Sequence, residues 1–116
     1  MLFRSALGPA ISGLAYQVDR SVTEAVARSL QPLGQADPKE GLQAMAEAGA
    51  LLPDATPDKD RLDIRAATAL QLERIGIGRD QQTRCPLCTH SEPNLFHSWR
   101  RDQVRAVQWS GIVSQA

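Results

Sequence analysis

Apolar and polar residues change rhythm several times along this chain, and each change predicts an element. From Ala6 to Val18, the apolar positions Leu7, Ile11, Leu14, Tyr16 and Val18 are interleaved with Gly8, Pro9 and Gly13. Glycine and proline at that density disfavour a helix, so the stretch reads as short extended segments broken by turns. Ser21-Val22-Thr23-Glu24 has the form of a capping box, in which a hydroxyl accepts a free amide three residues on while the glutamate reaches back. A helix is expected to follow, with Val22, Ala25, Val26, Ser29 and Leu30 on one apolar face and Pro32 and Gly34 closing it.

Asp37-Pro38-Lys39-Glu40 predicts a second helix start: a capping carboxylate, a proline where its missing donor costs nothing, and an acid in the first turn. Leu42, Met45, Ala46 and Leu52 follow, interrupted by Gly41 and Gly49, and Pro53 to Pro57 reads as an exposed loop. Asp60 to Ile75 is the longest helix candidate, closed by Gly76 as a left-handed cap. Its apolar residues surround the wheel: Leu62, Ala66, Ala69 and Leu70 share a face, and Ile64, Leu72 and Ile75 lie elsewhere, so cover is expected on more than one side. Phe96 to Arg101 and Ala106 to Val113 look like two strands joined through Asp102 to Arg105, with Val107, Trp109 and Val113 at alternate positions of the second.

Composition narrows the class. A chain of 116 residues, 42% hydrophobic and 22% charged, holds one ordinary core and not two. Thirteen basic and thirteen acidic residues cancel, so no overall field draws it to nucleic acid or to an anionic membrane. No apolar run approaches the ~20 residues that cross a bilayer, and no secretory leader is evident. Cys85 and Cys88 are too close together to staple a fold, which favours a reducing, cytoplasmic setting. These elements alone predict an α+β fold.

Three segments together resemble the YfiH-type laccase-domain family, whose members are also called multicopper polyphenol oxidases and purine nucleoside phosphorylases. The first is Leu7-Gly8-Pro9-Ala10-Ile11 with Tyr16-Gln17-Val18 and a helix behind it. The second runs from Leu62-Asp63-Ile64 through Gln71-Leu72 to Gly76. The third is Cys88-Thr89, a short acidic turn with a proline, and Leu95-Phe96-His97-Ser98-Trp99-Arg100-Arg101-Asp102. The sequence departs from the family pattern where Thr68 replaces the usual asparagine and where His97 and Trp99 replace phenylalanine and tyrosine. The resemblance implies mixed β-sheets flanked by helices in a layered α/β/β/α arrangement. Residues 6–116 match only the C-terminal half of such a domain, and residues 1–5 read as a non-native scar.

The same resemblance implies a parent enzyme that binds zinc or copper and acts on purine nucleosides with phosphate. Its expected activities are phosphorolysis of adenosine, inosine and methylthioadenosine, with adenosine deamination beside them; copper-dependent oxidation of phenols is the alternative. The family's His/Cys/His metal ligands sit in a threonine-histidine-glycine, an aspartate-cysteine-x-proline and a histidine-glycine-tryptophan-arginine segment. None of these occurs here. Little catalysis is therefore expected from this chain alone.

Arg100 and Arg101 are the leading candidates for holding phosphate: neighbours on a strand face opposite ways, so one guanidinium reaches a cleft and grips an oxyanion bidentately. Cys88 is a candidate nucleophile if His90 or His97 lies close. Cys85, Cys88 and His90 form half of a zinc knuckle, a weak metal candidate beside the plainer reading of a strand with an incidental Cys85; none is expected to hold metal. Asp58, Asp60 and Asp63 flank a helix start and read as capping groups. Two non-catalytic readings stand beside the enzyme: a module that associates with its own copies through an over-apolar helix and open sheet edges, and a single-strand nucleic-acid surface built on Trp99, Trp109 and Arg105. Zero net charge disfavours the second.

Overall fold

The three-dimensional structure is a computed structural model and describes residues 4–113. Strand β1 (Ser5–Leu7) leads through a 3-10 turn (Gly13–Ala15) to β2 (Gln17–Asp19), helix α1 (Arg20–Ser29) and helix α2 (Lys39–Glu47). Strands β3 (Leu51–Leu52) and β4 (Lys59–Leu62), helix α3 (Ile64–Arg74), a second 3-10 turn (Arg79–Gln81), β5 (Gln82–Arg84) and the one-turn helix α4 (Trp99–Asp102) complete the order. The expected α+β class is present. Strands β2, β4 and β3 form an antiparallel sheet with β4 in the middle, pairing Val18 with Asp60 and Leu51 with Leu62. Strands β1 and β5 pair in parallel, Ala6 opposite Thr83.

The core lies between the antiparallel sheet and α1, α2 and α3: Val18, Ala27, Leu30, Met45, Ala50, Leu62, Ala66 and Ala67 are buried together. Helices α1 and α2 touch at backbone distance, because a Cβ on Gly41 would fall 2.0 Å from the Ala27 carbonyl oxygen. Only glycine allows that approach. The link between them has a turn in which the Gln35 N–H donates to the Pro32 carbonyl at 3.3 Å, and side chains tie it further. The Gly41 N–H donates to Gln31 Oε1 at 2.7 Å, Gln31 Nε2 to the Asp37 carbonyl at 2.7 Å, and Arg28 Nε to the Ala36 carbonyl at 2.8 Å.

Several expectations hold and several are corrected. Helix α2 starts one residue later than predicted, with Pro38 at the N-cap, and Asp37 Oδ1 accepts the Lys39 N–H at 3.0 Å. Gly76 ends α3 in the left-handed region at φ 98°. The expected double cover of α3 is found in part: Ala66 and Ala67 enter the core, Gln82 donates to the Ala69 carbonyl and Arg65 reaches the carbonyls of Cys85 and Leu87, while Ile75 stays exposed.

The capping box does not form. Helix α1 begins at Arg20, whose N–H is taken by the Asp58 carbonyl at 2.9 Å, so Ser21 already lies inside the helix. Its buried face is Thr23, Ala27 and Leu30, leaving Val22, Ala25 and Ser29 exposed. The predicted helix from Asp60 is a strand as far as Leu62, and α3 starts later, where the Asp63 carboxylate accepts the Ala66 N–H at 3.0 Å. Of the three aspartates, only Asp63 caps α3; Asp60 is buried against Arg20 Nε at 2.9 Å.

Neither C-terminal strand is present among the described residues. Ser98 Oγ accepts the Arg101 N–H at 3.3 Å and turns residues 99–102 into α4, which ends at Gln103 with φ 56°. Residues 104–113 run without regular structure and make no backbone hydrogen bond to another backbone among the described residues. Alternating apolar residues make a strand only when a neighbouring strand completes the ladder.

Candidate functional site

The three segments that carry the family resemblance lie against one another: Ala6, Leu7, Gly8 and Ala10 line a groove with Ile64, Arg65 and Thr68, and Gln17 meets Arg100. Ala10 forms an isolated parallel bridge with Cys88, and the Thr89 N–H donates to the Ala10 carbonyl at 3.0 Å. Between Leu7, paired with Arg84, and Ala10, paired with Cys88, one side advances three residues and the other four, a bulge. Arg65 of α3 closes on this stretch through the Cys85 and Leu87 carbonyls.

At Cys88, the Ser12 N–H donates to the buried Sγ at 3.2 Å. Burial pushes the thiol up, but hydrogen bonds from Ser12 and Ser91 outweigh it and bring the pKa down to about 6. Cys85, by contrast, is held by its backbone: its N–H donates to the Leu7 carbonyl at 2.9 Å. No three of His, Cys, Asp and Glu converge at ligating distance among the described residues, so Cys85, Cys88 and His90 do not form a cluster of ligands. The donor set among the described residues does not fit a metal ion.

The two arginines are both close to this locus, in different roles. Because they lie on a helical turn, the strand argument that sends one inward and one outward does not apply. Arg101 is mostly buried and its donors are spent: Nη1 on the Thr89 and His90 carbonyls at 3.1 and 2.9 Å, Nη2 on the Phe96 carbonyl at 2.8 Å. Its Nε and Nη2 also hold the Asp102 carboxylate, at 2.9 and 2.7 Å. That hydrogen bonding keeps Asp102 below the usual carboxylate range, with His90 and His97 adding to it. Arg100 is exposed. Its guanidinium lies 4.6 Å from the centre of the Tyr16 ring and donates once, from Nη1 to the Gln17 carbonyl at 2.6 Å.

Arg100, Tyr16, Gln17, Asp19 and Lys59 line a polar groove of about 350 Å³. Lys59 is ion-paired to Asp19 across its floor. Tyr16 and Lys59 were not singled out from the sequence as site residues. No local signal could have found them, since 83 residues separate Gln17 from Arg100. Trp99 and Arg105 share a separate apolar groove with Val104 and Val107, and Trp109 stands outside its lining.

Comparison with known proteins shows the family of the chain as a whole. The family described as multi-copper polyphenol oxidoreductase laccase matches residues 3–114, and the chain belongs to that family. It is 44% identical over 115 residues to a purine nucleoside phosphorylase of Synechocystis sp., a match covering 96% of this chain and 43% of that protein. It is 37% identical over 110 residues to purine nucleoside phosphorylase YlmD of Bacillus subtilis, covering 94% and 34% respectively. Among solved structures, the hypothetical protein YfiH of Bacillus licheniformis superimposes with a TM-score of 0.64 at 31% identity, over 84% of this chain and 32% of that one. YlmD of Geobacillus stearothermophilus gives 0.63 at 30% identity, over 84% and 31%. The chain thus spans less than half the length of these relatives.

Proposed function

We propose that these residues contribute the phosphate-facing part of a purine nucleoside phosphorylase. The observation that carries the reading is the 44% identity, along nearly the whole chain, to a protein bearing that name. In such a reaction a phosphate oxygen attacks the ribose C1′, the bond from C1′ to the purine nitrogen breaks, and the base leaves with a proton. Arg100 suits the first task. It is exposed on a groove, fixed by the Tyr16 ring and the Gln17 carbonyl, and keeps guanidinium donors for an oxyanion. Arg101 acts as a positioning residue, since its own donors hold the turn from which Arg100 projects.

Adenosine, inosine and methylthioadenosine are the proposed nucleosides, with adenosine deamination as an associated activity and the cytoplasm as the setting. Residues 6–116 correspond, in this reading, to the C-terminal half of a family domain, and zinc or copper belongs to the part of the family site not matched here. The expectation for residues 1–5 falls mostly outside the described residues, which begin at Arg4. The family's description favours one second reading, copper-dependent phenol oxidation.

Purine release from inosine and orthophosphate tests the proposal. The 116-residue chain alone should show little turnover, and metal-dependent turnover by it would contradict the assignment of the ligands elsewhere. Joined to the part of the Synechocystis relative that it does not match, the chain should release hypoxanthine. In that protein Arg100→Ala should raise KM for phosphate about tenfold, the worth of one charge-assisted pair, and leave KM for inosine unchanged. Unaltered phosphate KM would remove Arg100 from the site, and phenol oxidation without purine release would favour the second reading.

A further inference from the structure

The outward face of the antiparallel sheet carries two ion pairs of different kinds. Side chains alternate faces along a strand, so Gln17 and Asp19 of β2 stand opposite to Val18, beside their cross-strand partners Arg61 and Lys59. Next to this face the Asp54 carboxylate, its side chain 4% exposed, is gripped by Arg61 Nε at 2.8 Å, Gln17 Nε2 at 3.1 Å and the Thr56 N–H at 2.8 Å. That pair is locked. The other, Lys59 with Asp19, is open: the two side chains are 38 and 65% exposed, and neither has another partner among the described residues. Asp19 stands at the N-cap of α1, yet its side chain accepts no amide of that helix.

Lys59 and Asp19 open onto the groove that Arg100 and Tyr16 line. Arg100 is anchored on the Gln17 carbonyl, two residues before Asp19, or about 7 Å of extended chain. One tetrahedral oxyanion bridges such a span with a charge-assisted hydrogen bond of about 2.8 Å at either end. The charged residues lining the groove are Arg100 and Lys59 against Asp19, so positive charge is in excess. An arriving phosphate therefore meets one free cation and one already engaged. Exposed ion pairs of this kind are weak and yield to a better partner. Pairing with Lys59 holds the Asp19 carboxyl below the usual carboxylate range, so Asp19 stays ionised near neutrality and competes with any incoming anion.

We propose that Lys59 is a second phosphate ligand of this groove, held in reserve by Asp19: its ammonium passes from the carboxylate to the anion that Arg100 receives. This rests on the phosphate reading of the groove given above, and adds to it a residue and a mode of binding. Asp19 is left to water, for which its exposure leaves room. The doubly charged form of phosphate draws the ammonium across more strongly than a singly charged anion does, so the exchange favours it.

The test is titration of the full 116-residue chain with inorganic phosphate at constant ionic strength, followed by the NMR shifts of residues 16–19, the Lys59 ammonium and the Arg100 guanidinium. Lys59→Met should weaken binding about fivefold, the worth of one partly exposed charge-assisted contact, and Lys59→Arg should restore it to within about twofold. Asp19→Asn should act the other way and tighten binding about threefold, since it removes the competitor while asparagine still suits an N-cap. In the Lys59→Met background that gain should shrink below about 1.5-fold, because no ammonium is left to release. An ion pair that only held the groove in shape would lose affinity on removal of either partner, and a gain cannot come from misfolding. Weaker binding by Asp19→Asn, or a gain that persists undiminished without Lys59, overturns the exchange. If Arg100→Ala weakens binding and Lys59→Met does not, the proposal falls while Arg100 keeps its role. If neither substitution matters, or the unaltered chain does not bind phosphate, the phosphate reading of the groove falls and the proposal with it.

Discussion

Residues 17–74 and residues 88–113 are neighbours held together by opposite means. The first region buries Met45, Leu62, Ala27 and Leu30 under two crossed helices and a sheet. The second has little apolar interior, and its order comes from polar atoms: one guanidinium on three carbonyls, a serine cap on α4, and a glutamine against the His97 backbone. Buried apolar contact gains free energy from the departure of water whatever the precise geometry. A polar scaffold gains only the small net difference between hydrogen bonds within the protein and those to water. The first region therefore carries most of the hydrophobic stabilisation, while the second presents its apolar side chains to solvent.

Substitutions in each region should separate the two. The largest effect is expected at the α1–α2 crossing. Gly41→Ala places a methyl group 2.0 Å from the Ala27 carbonyl oxygen, so the helices must part, at an overpacking cost of about 3 kcal/mol read from the urea midpoint. A midpoint unchanged from wild type would show that the crossing is looser than its geometry.

An intermediate effect appears only in acid. The Asp54 carboxyl is held well below the usual carboxylate range by the Thr56 N–H, the Gln17 amide and the Arg61 guanidinium, against the opposing pull of burial. A depressed folded-state pKa means that the unfolded chain takes up the proton first. The contribution is thus whole above the unfolded value near pH ~4 and is lost as pH falls toward the folded one. Thermal melts from pH 7 to 3 should fall less steeply for Asp54→Asn than for wild type; equal slopes would detach Asp54 from the stability of the first region.

The smallest effect is expected in the second region. Val107→Asp with Trp109→Asp should move the melting of the isolated chain by no more than ~0.5 kcal/mol, the scale of surface changes that touch nothing. A loss beyond ~1 kcal/mol would show that residues 104–113 help to hold the first region, and the contrast would fail.

Much of the first region could be read from sequence because its signals are local. Asp37 and Pro38 announce α2, and Gly76 closes α3, through the conformations of single residues. Strand β4 escaped because Lys59-Asp60-Arg61-Leu62 buries a charged aspartate in alternation with Leu62, which the hydrophobic pattern scores as polar. The second region misled for a different reason. Its residues have strand-forming side chains, but a serine hydroxyl and a guanidinium, acting over three to twelve residues, impose a helical turn. The groove was only partly legible: Arg100 stood out as a paired arginine, whereas its partners Tyr16 and Gln17 are joined to it by the fold alone.

The Arg101 guanidinium has a bearing on how the molecule opens. Thr89, His90 and Phe96 are joined through a single side chain, so their release is one event and not a sequence of small ones. Contacts that share one side chain are expected to open together, so amide exchange across residues 88–102 should be correlated. That stretch begins at Cys88, so one arginine thirteen residues further along the chain fixes the residues that immediately follow the buried thiol.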